Sequence, residues 1–392
     1  MRLLRPLSLT VAALLLSGAN APAPETALAE AEAKIVKTYA AAQEKLAKWC
    51  LEKKFEAEAR QALQEVCLWD GRNAKAAKSL EGLPAEPAAS PEEEKLKAEL
   101  AALRKTLAKE PAAAFAKLAL QAAKENSFAM ARRLAARTRA IQAEADLAAV
   151  DKLLAAPKAV EALKALDADV EKAQGEFLLR PPGDGLMEYL LKLPKDYEAG
   201  KRIPLYIHIH GSGGNAMESS GDEGQRGAGY AFLAPTCLSS KGQGDAGAEA
   251  NLVLRIVDRL CNDLGIDRDR VFLDGHSGGG SIAYTMIDKH RDRMRGVIPI
   301  EANFFVSIGR CAQPETFPVY VIKGEKDEHN EKILNREIAA ALAALKNAQF
   351  VNVKFEIIPE MTHSTIQLCE PQILAWVQDI LAFKQAPPAK PK

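Results

Sequence analysis

The chain has 392 residues, 48% of them hydrophobic, which is enough for two or three domains with their own cores. Its 52 lysines and arginines balance 52 aspartates and glutamates, and a net charge of zero gives no basic footprint for nucleic acid. There is no Cys-x-x-Cys pair and no His/Cys cluster at ligand spacing, so the sequence offers no recognisable metal site.

The chain opens as an export signal. Arg2 and Arg5 precede the apolar run Leu7–Leu16, which is too short to span a bilayer comfortably and has the length of a signal core. Two small-x-small cleavage sites follow, Ala19-Asn20-Ala21 and Ala27-Leu28-Ala29. Pro22 is expected to hinder cutting at the first, so residues 1–29 are assigned to the signal. No cysteine follows the run closely, which argues against a lipid anchor, and no later segment is long and apolar enough to span a membrane. The expected location is periplasmic or extracellular.

From Glu30 to Gly175 alanine, lysine, glutamate and leucine dominate, with apolar residues at helical spacing, so this half is expected to be all-helical. Residues 30–82 read as a helical hairpin, Leu46–Leu51 against Phe55–Leu63, broken by Asp70-Gly71-Arg72-Asn73. Residues 83–90 form a proline-containing linker, and Ser90-Pro91-Glu92-Glu93 is a capping box that starts the next helix. The helical region 91–175 holds a weaker second hairpin around Phe115–Ala119 and Phe128–Arg132, then a helix through Asp151–Lys172. This half reads as a spacer or as a module for protein or envelope contact. Arg180-Pro181-Pro182-Gly183-Asp184-Gly185 is the expected boundary with a catalytic domain over 176–384, and residues 385–392 form a disordered tail.

The second half alternates strand and turn signals. Ile203–Ile209 is a core strand running into His210-Gly211-Ser212-Gly213-Gly214, a loop that can aim backbone N–H groups at a developing oxyanion. Arg270–Asp274 is a second strand. It leads through Gly275-His276-Ser277-Gly278-Gly279 into a helix beginning near Ser281, and a Gly-x-Ser-x-Gly in that setting is a nucleophile elbow. Phe317–Ile322 is a further strand ending in Lys323-Gly324-Glu325-Lys326-Asp327, where Asp327 is the best acid. Val351–Ile358 alternates as a strand, and the loop after it carries His363, the natural base. Glu325 and Glu328 share the turn of Asp327 and read as solvated surface. His329 is too close in sequence to Asp327 to pair with it. His210 is expected to shape the glycine loop, His208 and His276 to pack beside the site, and His290 to lie on a helix surface.

Taken together, residues Leu186 to Phe383 resemble secreted α/β-hydrolases of the esterase and prolyl-oligopeptidase-like group. Tyr189–Tyr197 resembles the leading strand of predicted peptidases, feruloyl esterases and polyhydroxybutyrate-depolymerase-like esterases. Phe232–Cys237 resembles their next strand, and His210–Gly214 and Gly275–Gly280 match their glycine loop and elbow. The resemblance implies an α/β-hydrolase fold, a mostly parallel sheet with helices on both faces, preceded here by an all-α region. It also implies a serine hydrolase acting on an ester or amide through Ser277, His363 and Asp327. The oxyanion would be held by Gly278 together with Gly211 and Ser212, and no metal or organic cofactor is required. The helical half resembles a degenerate tetratricopeptide-like region, although two hairpins are fewer than a solenoid needs.

The six cysteines, Cys50, Cys67, Cys237, Cys261, Cys311 and Cys369, can pair in an oxidising compartment or remain buried thiols. The loops Glu218–Gly229 and Ser239–Gly247 are glycine-rich, and no large hydrophobic lid is visible. The expected substrate is therefore a small or polysaccharide-linked ester. A peptide is the alternative, and a hydrolase domain without activity that binds the envelope is the reading from a different class.

Overall fold

The computed structural model describes residues 24–70, 73–84, 94–183, 185–198, 201–221, 229–237, 245–311, 317–327 and 331–381. The signal core, the capping box at Ser90–Glu93, most of the two glycine-rich loops, Glu328, His329 and the 385–392 tail lie outside them.

The first half is helical. Helix α1 (Pro24–Glu52) turns back into α2 (Glu56–Trp69) through Lys54, whose φ of 62° reverses the chain and lets Phe55 N–H donate to Cys50 O at 2.8 Å. Glu56 and Glu58 in the first turn of α2 complement its dipole. Helix α3 (Ala74–Glu81) is capped by the Asn73 side chain, and α4 (Glu94–Lys124) pairs with α5 (Phe128–Ile141) across a second turn at Asn126, φ 63°. Helices of 29 and 31 residues are about twice what a two-helix unit of about 34 residues can hold, so the tetratricopeptide-like resemblance gains no support. The expected single helix through Asp151–Lys172 is two, α6 (Ala148–Leu154) and α7 (Pro157–Ala173). Pro157 pushes Ala156 into extended backbone, ψ 144°, and restarts the helix at its first position.

The second half is built on one eight-stranded sheet. In chain order its elements are β1 (Leu178–Arg180), β2 (Tyr189–Lys192), β3 (Ile203–Ile209), β4 (Ala231–Pro235), α8 (Ala246–Leu264), β5 (Ile266–His276), α9 (Gly278–Lys289), β6 (Gly296–Ile300), β7 (Val319–Gly324), α10 (Glu331–Asn347), β8 (Val353–Ile358) and α11 (Glu370–Leu381). The strand order is β1-β2-β4-β3-β5-β6-β7-β8, antiparallel among β1, β2 and β4 and parallel from β4 through β3 to β8. Strand β1, which lies within the expected catalytic range 176–384, pairs antiparallel with β2 at the edge of the sheet.

Alternation along the central strands feeds two cores. Leu205, Ile207, Val271, Leu273, Val319 and Val321 face the layer of α8 and α9, while Tyr206, Phe272, Tyr320 and Ile322 face α11 through Trp376 and Val377. Burial on both faces is what parallel strands require. The helices of the first half form their own cores around Phe115, Leu134 and Leu28, the last fully buried on α1, and around Phe55 and Val66. They dock on the sheet half through charge as well as contact. Arg133 on α5 donates to Asn262 O on α8 at 3.1 Å, and Arg202 beside β3 bonds Trp69 O at the end of α2. None of the six cysteines forms a disulfide; burial raises the pKa of Cys50, Cys67, Cys237 and Cys261, which makes them poor nucleophiles.

Candidate active site

Strand β5 ends at His276, and the chain reverses at Ser277 (φ 51°, ψ −113°) before α9 begins at Gly278. That conformation is one an L side chain rarely adopts, and it lifts the hydroxyl off the sheet edge. The turn closes because its neighbour lacks a side chain: a Cβ on Gly279 would sit 2.4 Å from Ile209 O and 2.6 Å from His210 O, at the end of β3. Ser277 N–H is fixed by Ile300 O at 2.9 Å, which ties the turn to the end of β6.

The loops after β7 and β8 meet this turn. His363 Nε2 lies 3.0 Å from Ser277 Oγ, and His363 Nδ1 lies 3.1 Å from Asp327 Oδ2. His363 is therefore within hydrogen-bonding reach of both other side chains that sequence order selected. The expected oxyanion donors are also adjacent. Gly278 is the first residue of α9, where N–H groups have no partner within the helix, and a Cβ built on Gly211 would lie 3.7 Å from the Ser277 Cβ. Ser212 follows on the exposed side of the same loop.

Two neighbouring histidines, His210 and His208, have structural partners. Burial depresses the pKa of His210, whose Nδ1 donates to Gly211 O at 2.8 Å while Nε2 accepts from Cys237 N–H at 3.0 Å. That neutral tautomer pins the glycine loop to the end of β4. His208 Nδ1 is 2.6 Å from Asp274 Oδ1, and Tyr206 donates to the other oxygen of that carboxylate at 2.5 Å, all buried beneath the site. His290, expected on a helix surface, is the half-buried residue that closes α9. Glu325 is exposed, as expected, and accepts from Glu360 N–H.

Sequence reasoning missed Glu301. It follows β6 with φ 47°, is 2% exposed, and brings Oε2 to 3.2 Å from His363 Nδ1 and 3.7 Å from His276 Nε2. Its Oε1 accepts from Gly324 N–H at 2.9 Å. The signal that could have found it is a lone acid after the apolar run Gly296–Ile300, at the same edge of the sheet as the serine. The Glu301 carboxylate beside Nδ1 raises the His363 pKa above its ordinary value; burial opposes this and Asp327 reinforces it. Burial pushes the Glu301 carboxyl up, but His276 and His363 outweigh it and hold the group well below the usual range. Donor atoms of His276, Glu301 and His363 lie within 4.8 Å of one another, the arrangement among the described residues nearest to a cation site.

A mostly parallel eight-stranded sheet with an antiparallel edge, and a serine on the turn between β5 and the next helix, decides the architecture. The fold is that of an α/β-hydrolase. No protein-family model matches the chain. Two curated relatives, probable feruloyl esterases C of Aspergillus niger and Aspergillus terreus, are 32% and 29% identical over 120 and 119 residues. The matches take in 28% of this chain and 44% of each relative, so the chain spans less than half the length of the curated relatives it matches. Among solved structures, a thermostable esterase is 19% identical with a TM-score of 0.40, over 54% of this chain and 62% of that one. A Bacillus cereus carboxylesterase is 15% identical with a TM-score of 0.40, over 50% of this α/β-hydrolase chain and 96% of its own.

Proposed function

We propose that this α/β-hydrolase is an exported serine esterase that cleaves carboxylic esters through an acyl-enzyme on Ser277. The observation that carries the reading is His363, with one ring nitrogen 3.0 Å from Ser277 Oγ and the other 3.1 Å from Asp327 Oδ2. A serine hydroxyl is a poor nucleophile at its own pKa. His363 takes the proton as Ser277 Oγ attacks the carbonyl carbon, and Asp327 holds the imidazole in the tautomer that accepts at Nε2. The tetrahedral oxyanion is received by the N–H of Gly278 and by one from Gly211 or Ser212; losing one such donor costs on the order of 10²–10³ in kcat. His363 then protonates the departing alcohol, and water releases the acid by the same route.

The likeness to probable feruloyl esterases favours a polysaccharide-linked or small soluble ester over a peptide. Export is supported by the Arg2, Arg5 and Leu7–Leu16 pattern. The burial of Leu28 in the core of the helical half favours cutting at Ala21, ahead of α1, over Ala29. No helix among the described residues is long and apolar enough to cross a membrane.

The test is turnover of p-nitrophenyl acetate, p-nitrophenyl butyrate, methyl ferulate and a panel of chromogenic peptides by the wild-type protein and by Ser277→Ala. Ester hydrolysis that vanishes in the variant is the expected outcome. Peptide cleavage without ester turnover would make the protein a peptidase. Failure of every substrate, with no labelling of Ser277 by a fluorophosphonate, would leave a binding protein.

A further inference from the structure

The geometry points to Glu301 as a second acid beside His363: a positioning residue whose carboxylate faces the Nδ1 side of the ring next to Asp327, so that the protonated base is served by a pair of carboxylates and not by one. This rests on the reading of Ser277, His363 and Asp327 as the catalytic set.

The two carboxylates approach the same nitrogen at nearly equal distance, 3.1 Å from Asp327 Oδ2 and 3.2 Å from Glu301 Oε2. Asp327 takes the directional Nδ1 hydrogen bond, and Glu301 at 3.2 Å acts on the ring through its charge. Asp327 is the better aligned of the two. Glu301 Oε2 has no hydrogen-bond partner of good geometry and is fully buried, a costly state for a carboxylate oxygen unless something beside it carries positive charge. The imidazolium that forms on His363 during attack supplies that charge. The expected result is a base whose protonated form faces two negative groups at the moment the oxyanion develops.

The placement of Glu301 is built into the fold. Its φ of 47° turns the chain at the end of β6, directly beneath the Ser277 turn that Ile300 O holds. Gly324 supplies the N–H that fixes Oε1, and only glycine fits there: a Cβ at that position would lie 2.4 Å from Glu301 Oε1 and 2.3 Å from Met361 O, two residues before the base. On its other side stands His276, the variable residue of the elbow, with Nε2 3.7 Å from Oε2 and its ring centroid 4.7 Å from that of His363. Burial depresses the His276 pKa. A neutral His276 can turn an Nε2–H toward Glu301 without adding a second positive charge beside His363. The ionisable groups facing His363 are thus Glu301 from the end of β6, Asp327 from the end of β7 and His276 from the elbow.

The experiment is a titration of His363 by ¹⁵N-histidine NMR, without substrate, in wild-type, Asp327→Asn, Glu301→Gln and the double variant, together with kcat on p-nitrophenyl butyrate. The wild-type histidine should titrate above the ordinary value of about 6.5. Each single substitution should lower that pKa, the double variant should lower it further, and the acidic limb of kcat/KM should move to lower pH in step. Where one aspartate alone serves the histidine of a serine hydrolase, its amide variant loses on the order of 10⁴ in kcat. Here Asp327→Asn should lose on the order of 10–100-fold, and adding Glu301→Gln should remove at least a further tenfold. An unchanged titration in Glu301→Gln, or an Asp327→Asn enzyme already as slow as the double variant, overturns the proposal. The titration needs no turnover, so a protein that hydrolyses none of the esters would fail the esterase reading and still give a result for Glu301. Glu301→Gln keeps an oxygen for Gly324 N–H; if it does not fold, Glu301→Asp, which withdraws the carboxylate by one methylene, is titrated in its place.

Discussion

Ser277 is strained where it stands. Its φ of 51° and ψ of −113° lie in territory that glycine enters freely and that costs other residues about 1–3 kcal/mol. Ile300 O, the β3 carbonyls packed against Gly279, and α9 hold it there. Activity and stability should therefore part company at this residue. Ser277→Ala and Ser277→Gly both remove the proposed nucleophile, but glycine also relieves the backbone and should be the more stable of the two by about 1 kcal/mol or more, after allowing for its freer unfolded chain. Equilibrium urea unfolding of both variants measures the difference. An alanine variant as stable as the glycine one would mean the turn carries no strain. This residue was legible in the sequence because its constraint is local: glycines on both sides of a serine, after an apolar run, leave few other backbones. Asp327 and His363 were legible through their order along the chain. Glu301 was not read: an acid after the apolar run Gly296–Ile300 is a weak signal by itself, and its place beside His363 comes from the lateral register of β6 between β5 and β7.

At the level of elements, local signals and tertiary packing compete, and two prolines show which one wins. Pro111 lies inside α4 without ending it, while Pro157 divides the expected helix into α6 and α7. Each removes one helical hydrogen bond. Around Pro111 the helix is held by Leu100, Ala112 and Phe115 in buried contact, whereas α6 and α7 bury few side chains near their junction. Sequence pattern records the proline and not the neighbouring helices, so the break was not readable. Strand ends were readable only to within a few residues, as for β7 at 319–324 against the expected 317–322 and β5 at 266–276 against the expected 270–274, because pairing with neighbouring strands sets them. A helix end that is locally specified is Gly265, which stops α8 in left-handed backbone at φ 75°. A Cβ there would lie 2.9 Å from Arg133 Cδ and 3.1 Å from Lys201 O. Gly265→Ala should cost about 1–2 kcal/mol and loosen Arg133, with kcat unchanged because the elbow is at the far end of β5. Thermal melts beside ester assays test it; a melt equal to wild type would show that Arg133 simply moves aside.

Across the whole molecule, the junction of the two halves is a buried charge cluster. Glu32 on α1, 8% exposed, receives Arg133 at 2.6 and 2.8 Å through both oxygens and also pairs with Arg137. The Arg137 guanidinium stands 5.2 Å from the centre of the Trp69 ring, and Arg202, paired with buried Asp267 of β5, stands 5.8 Å from it. One carboxylate thus lies between two buried arginines that would otherwise face each other. Removing a single partner from such a cluster is worse than never having built it, typically by about 3–5 kcal/mol, so Glu32→Gln should lower stability by that order. The pH dependence gives the sign. Burial pushes the Glu32 carboxyl up, but Arg133 and Arg137 outweigh it, leaving the folded-state pKa well below the usual range. A depressed carboxylate contributes stability that is fully present above its unfolded value of about 4.3 and is lost as pH falls through the folded value. Urea unfolding should accordingly separate wild type from Glu32→Gln most widely at neutral pH, and the gap should narrow steadily below about pH 4. A gap that stayed constant into acid would show that glutamine costs packing and not charge. Because Arg133 also holds Asn262 O on α8, the variant should melt in two steps where the wild type melts in one, the helical half first, with ester turnover surviving until the second.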